Sequence, residues 1–135
     1  MVISGGDFNL SAEVFDPRAG TWRRWENTLG FSGDPWTSFL VASSCGELYG
    51  FSEEMVKKYD GEKSLWNVVA SLPQSLSLIN CATQWRDWIF VSGVIKPNKD
   101  VSYLFQPSSG QSIEVNGGDG DNFENKMIFA TTVEI

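Results

Sequence analysis

The sequence predicts an all-β chain of repeated antiparallel meanders, and three observations carry that expectation. A phrase recurs, as Phe15-Asp16-Pro17-Arg18-Ala19-Gly20-Thr21-Trp22, Tyr59-Asp60-Gly61-Glu62-Lys63-Ser64-Leu65-Trp66, and, blurred, Leu104-Phe105-Gln106-Pro107-Ser108-Ser109-Gly110-Gln111-Ser112-Ile113. In each, an aromatic residue leads into Asp or Gln, Pro or Gly opens a turn, and a large apolar residue follows, which reads as strand, tight turn, strand. The copies are evenly spaced, 44 positions from Asp16 to Asp60 and 46 from Asp60 to Gln106, and a period of that length belongs to propellers and solenoids. Composition agrees: 135 residues fit one domain, and 41% hydrophobic with 13% aromatic content can fill its core.

Taken in order, each unit offers an upstream partner for its turn. Val2-Ile3-Ser4-Gly5-Gly6, Leu48-Tyr49-Gly50-Phe51-Ser52 and Ile89-Phe90-Val91-Ser92-Gly93 are short apolar runs ending at small residues, where a strand stops and a neighbouring backbone comes close. Strands are expected near 2–6, 12–17 and 21–25; near 37–45, 47–52, 56–61 and 65–69; near 79–85, 88–93, 102–107 and 111–115; and near 127–134. Glu53 to Lys58 is the one helix-like stretch, too short to stand alone, and reads as loop and strand. Cys45 precedes Gly46-Glu47 at a hairpin, and Trp85 and Trp88 flank a second one at Arg86-Asp87. The whole of 1–135 is one repeat region, with units at about 2–25, 37–69 and 79–115. The first unit lacks its first strand, and 126–135 starts or closes another.

The apolar runs with their terminal glycines resemble the second strand of a kelch repeat, and the Phe/Tyr-Asp…Trp phrases resemble its third and fourth strands. The likeness covers Val2 to Val115. It is best in the first unit, with Gly5-Gly6, Phe15-Asp16-Pro17 and Trp22. The second has Gly50-Phe51 in place of the double glycine, and the third keeps Gly93 but has Gln106 and Ile113 for Asp and Trp. The resemblance implies a partial kelch-type β-propeller of about three blades, each an antiparallel four-stranded meander, with the first and last units incomplete. It also implies that Trp22 and Trp66 pack between adjacent blades and are buried. Propellers usually have four to eight blades, so three would leave apolar faces and strand edges uncovered, and self-association through those edges is expected.

The search for chemistry excludes more than it finds. The chain has no histidine, which removes Ser-His-Asp and Cys-His pairs, histidine metal sites and the usual neutral-pH proton shuttle. Asp16 and Asp60 hold equivalent positions in different units and read as turn caps rather than a carboxylate pair. Cys45 and Cys81 stand in no metal-ligand spacing, and no disulfide is expected between them. The acidic, glycine-rich run from Asn116 to Asn125 misses the calcium-loop spacing and reads as a linker. No phosphate-binding glycine motif follows a strand. No catalytic residue, cofactor or metal is therefore expected. Two unmatched cysteines, with neither a secretory signal nor a membrane-length apolar run, point to an intracellular protein of the cytoplasm or nucleus.

A net charge of -7, from 10 basic and 17 acidic residues, disfavours nucleic acid and anionic membrane and leaves a protein as the expected partner. Loops of a repeat scaffold vary without harming its core, so they are where a partner should dock. Those loops include Asp7 to Leu10, Glu26 to Trp36, Glu53 to Met55, Ser71 to Ser77 and Lys96 to Asp100, and the candidate contact residues are Asp7, Phe8, Asn9, Phe31, Trp36, Glu53, Glu54, Lys96, Asn98 and Lys99. The expected function is a non-enzymatic protein-binding module. The resemblance extends to the kelch regions of plant F-box/kelch proteins, which implies substrate recognition for a ubiquitin ligase whose F-box is absent from these residues. The alternative is a fragment of a propeller enzyme or small-ligand-binding propeller of galactose-oxidase-like type whose catalytic residues lie outside this chain.

Overall fold

The computed structural model describes residues 2–5, 12–25 and 39–115. Among them are eleven strands and no helix. A three-stranded sheet runs β1 (Val2–Gly5), β2 (Ala12–Asp16), β3 (Thr21–Trp25). A four-stranded sheet follows as β4 (Phe39–Ser44), β5 (Glu47–Ser52), β6 (Met55–Asp60) and β7 (Leu65–Ser71). A second comprises β8 (Leu78–Trp85), β9 (Trp88–Ile95), β10 (Lys99–Gln106) and β11 (Gln111–Glu114). In every sheet each strand lies beside its neighbour in sequence, the mark of an antiparallel meander. The expected strand at 127–134 lies outside the described residues. The chain divides into two compact units, residues 1–36 with 60–66 and residues 37–59 with 67–135.

The turns follow from their residues. After β2, Asp16 Oδ1 accepts hydrogen bonds from the Arg18 and Ala19 amides, at 2.8 and 3.3 Å. After β6, Asp60 Oδ1 accepts from Glu62 and Lys63, at 3.0 and 3.1 Å. After β10, Gln106 receives the Ser109 hydroxyl on Oε1 at 2.8 Å, and its own carbonyl accepts the Gly110 amide at 2.8 Å, as the Asp16 carbonyl accepts that of Gly20. Four residues beyond each cap the backbone turns left-handed, at Gly20 (φ 65°), Ser64 (φ 53°) and Gly110 (φ 71°). Glycine meets that need without penalty at the first and third turns, whereas Ser64 carries the strain of a Cβ. The Cys45-Gly46 hairpin has both residues left-handed, at 51° and 79°, and joins the paired Ser44 and Glu47.

In the larger unit, alternation along the strands builds a core between two sheets. Ile89 and Val91 of β9, and Val101, Tyr103 and Phe105 of β10, point to one face. They pack with Ala42, Tyr49, Phe51 and Val56 of the other sheet. The Phe105 ring meets Tyr49 and Phe51 edge-on, with centroids 6.2 and 5.8 Å apart, a geometry aromatic quadrupoles favour. Leu72 and Leu76, from the segment between β7 and β8, are buried in the same core. At about 1.5 to 3 kcal/mol for each fully buried leucine, they anchor that segment. A bulge between Ile79 and Cys81 bends β8 beside β9, and there a Cβ on Gly93 would be driven into the Leu78 carbonyl oxygen, so only glycine fits.

Two expectations are corrected. Trp22 is 53% exposed while Trp66 is 8% exposed, so the shared motif position does not bring shared burial. The Trp22 ring leans on Phe15, its cross-strand partner, at 5.0 Å. This ring contact leaves about half of the Trp22 surface open to solvent. Strand β10 also starts earlier than expected, because Lys99 already pairs with Ile95 and Asp100 with Val94. The 96–100 loop is thus a tight turn over Lys96-Pro97-Asn98, with Lys99 in the strand.

Candidate functional site

Of the candidate contact residues, Glu53, Glu54, Lys96, Asn98 and Lys99 fall in the described part, and all five are exposed. Asp7, Phe8, Asn9, Phe31 and Trp36 lie outside the described residues. Glu53 and Glu54 form the two-residue turn between β5 and β6, closed by the Ser52–Met55 pair. Glu53 adopts a left-handed φ of 49°, a conformation that costs a non-glycine residue on the order of 1 kcal/mol or more. Lys96 and Asn98 lie in the turn between β9 and β10, and Lys99 opens β10.

The Glu53-Glu54 turn is linked to the end of β9 by the segment 72–77. Its Leu72 and Leu76 amides donate to the carbonyls of Glu54 and Glu53, at 2.7 and 3.2 Å. One residue on, the Ser77 amide and hydroxyl both donate to the Val94 carbonyl, at 2.8 and 2.9 Å. The segment is thus a strap, pinned below by two buried leucines and tied at one end to the acidic turn and at the other to the end of β9. It brings Glu53 and Glu54 to the same end of the unit as Lys96, Asn98 and Lys99. Leu72 and Leu76 were not among the candidate residues, although two leucines four positions apart within an otherwise polar Ser-Pro-Gln-Ser stretch are a legible sign of anchoring. The bonds made by Ser77 have no such sign, because they depend on where Val94 falls.

Another polar cluster lies at the far end of β5. Glu47 pairs with Lys58 and accepts a hydrogen bond from the Tyr49 hydroxyl at 3.3 Å. The Lys58 hydrogen bond holds the Glu47 carboxyl below its usual range, whereas burial, with the Glu47 charge beside it, pushes Tyr49 up. Both shifts favour the states these groups already hold at neutral pH, so the cluster is a brace and supplies no proton donor or acceptor near pH 7. Burial lowers Lys57 on β6. Among the described residues no three His, Cys, Asp or Glu side chains gather as a metal site. None of their elements is a helix long and apolar enough to cross a membrane. Cys45 is exposed and Cys81 buried, and the two form no disulfide with each other.

No protein-family model matches the chain, and no curated protein matches its sequence.

Proposed function

We propose that this chain is a portion of a kelch-type β-propeller that acts as a protein-binding module without chemistry of its own, docking its partner on the Glu53-Glu54 turn and on the turn that follows β9. The observation that carries this reading is the joining of the Glu53-Glu54 turn and the end of β9 by backbone hydrogen bonds. A turn and a strand end held by one anchored segment form a prearranged surface, and preorganisation lowers the entropic cost of binding. The propeller assignment is supported by the sheets, two of them meanders of four strands, and by one capped turn recurring after β2, β6 and β10. Exposed Leu65, Val68 and Val69 on β7, an outer strand of its sheet, support self-association in the absence of a partner.

The test compares the native chain with the E53K/E54K/K96E/K99E variant in pull-down, with circular dichroism confirming that the β signal is unchanged. A partner held by the native chain and released by the variant supports the reading, whereas equal capture by both removes these turns from the site. Turnover by the purified chain removes the non-enzymatic reading. The ubiquitin-ligase role rests on the kelch resemblance alone; fusing an F-box ahead of residue 1 and measuring ubiquitination of the captured partner tests it.

A further inference from the structure

We propose that the strap surface recognises a short protein segment of opposed charges, a basic residue set against Glu53 and Glu54 and an acidic residue against Lys96 and Lys99. The inference rests on the protein-binding reading and specifies the partner. On a chain of net charge -7, bulk electrostatics would select a basic partner. At physiological salt, however, fields decay over about 8 Å, so a docking segment senses the charges beside it rather than the total.

Those local charges are split. The Glu53 carbonyl bonds the Leu76 amide at 3.2 Å and the Val94 carbonyl bonds the next amide, Ser77, at 2.8 Å. With one residue step of about 3.6 Å between the amides, the two carbonyls lie within about 10 Å of each other. Glu53 and Glu54 are the exposed turn residues at the first side of this span. Lys96 follows Val94 by two residues and Lys99 is the strand partner of Ile95, so the positive charges belong to the other side. Asp100 is next in β10, and strand alternation points it to the opposite face of the sheet from Lys99. An extended peptide rising about 3.3 Å per residue needs about four to six residues to reach from one pole to the other.

These charges are also uncommitted. Among the described residues the ion pairs join Lys58 to Glu47 and Lys63 to Asp60, and none uses Glu53, Glu54, Lys96 or Lys99. Glu53 further occupies a left-handed turn position that glycine would fill with less strain. A carboxylate held there at a cost to the fold is accounted for if its charge is used.

The experiment pans the full chain against a displayed library of random peptides about twelve residues long, enough to cross the span twice. Peptides carrying a basic and an acidic residue about four to six positions apart should be enriched, and a selected peptide should bind several-fold more weakly at about 300 mM salt than at about 50 mM. E53K/E54K should abolish the preference for the basic residue and K96E/K99E the preference for the acidic one, each weakening the selected peptide about fivefold or more. Glu53→Gly separates function from folding, since it should raise the melting temperature slightly while weakening the peptide. Enriched peptides without paired charges, or ones indifferent to both double reversals, overturn the opposed-charge proposal and leave protein binding standing. A panning that enriches no peptide overturns both.

Discussion

The sheet β1–β3 and the sheet β8–β11 are built from the same phrase and end in very different packing. Both contain a four-residue turn capped from a side chain and closed through a left-handed glycine, Gly20 in one and Gly110 in the other. Yet of the side chains described in the first, Val14 is the one fully buried apolar group, and its motif tryptophan stands in water. The second contributes Ile79, Ile89, Val91, Val101, Tyr103 and Phe105 to a shared core. A turn is decided by a handful of neighbouring residues, whereas burial needs a second layer, and only the β8–β11 sheet presents a fully alternating apolar face to one.

Truncating aromatics tests the contrast hardest. Phe105→Ala and Trp66→Ala should each lose about 3–5 kcal/mol, while Trp22→Ala, which forfeits one ring contact, should lose about 1 kcal/mol. Urea titration of the three variants decides it, and equal losses at Trp22 and Trp66 would break the comparison. Next in size is Gly93→Ala. It forces a methyl group against the Leu78 carbonyl and should cost about 2–3 kcal/mol, read as a drop in melting temperature.

Gly20→Ala and Gly110→Ala sharpen the comparison from the other side. A Cβ at Gly20 meets nothing within 4 Å, and at Gly110 meets Ala70 at an ordinary 3.7 Å, so the penalty is backbone strain alone. Each should cost about 1–2 kcal/mol, and alike in the two sheets if the turns are local. A loss at Gly110 several times that at Gly20 would show the turn is held by packing.

The smallest expected effect is at Tyr103, whose buried hydroxyl has no hydrogen-bond partner among the described residues. Such a group costs about 1–3 kcal/mol to bury, so Tyr103→Phe should leave stability unchanged or raise it by up to about 1 kcal/mol. Burial raises this phenol above its ordinary value, and Glu114 adds to the shift. Above pH about 10 the unfolded chain therefore releases a proton that the folded chain retains, and stability falls as pH rises through that range. Tyr49, raised for the same reason, acts in the same direction, so Tyr103→Phe should make the alkaline decline shallower without abolishing it. Denaturant midpoints at pH 9 and pH 11 measure this, and an unchanged slope would mean the Tyr103 hydroxyl is solvated.

The sequence by itself determined the local chemistry. Asp16, Asp60 and Gln106 announce their turns because the cap and the left-handed residue lie within four positions of each other. Alternation in Val101-Ser102-Tyr103 marks which face of β10 is apolar, and Cys45-Gly46 and Arg86-Asp87 mark hairpins found where expected. Glu53, Glu54 and Lys96 were legible as turn residues for the same reason. Tertiary structure decided the rest, because it depends on residues far apart in the chain. It separated Trp22 from Trp66, drew Lys99 into β10 by continuing the β9 register, and sank Leu72 and Leu76 from a loop into the core. It also linked the acidic turn to the end of β9 through the 72–77 segment, since the bonds from Leu76 to Glu53 and from Ser77 to Val94 each span about twenty residues of chain, a distance over which no local pattern specifies a partner.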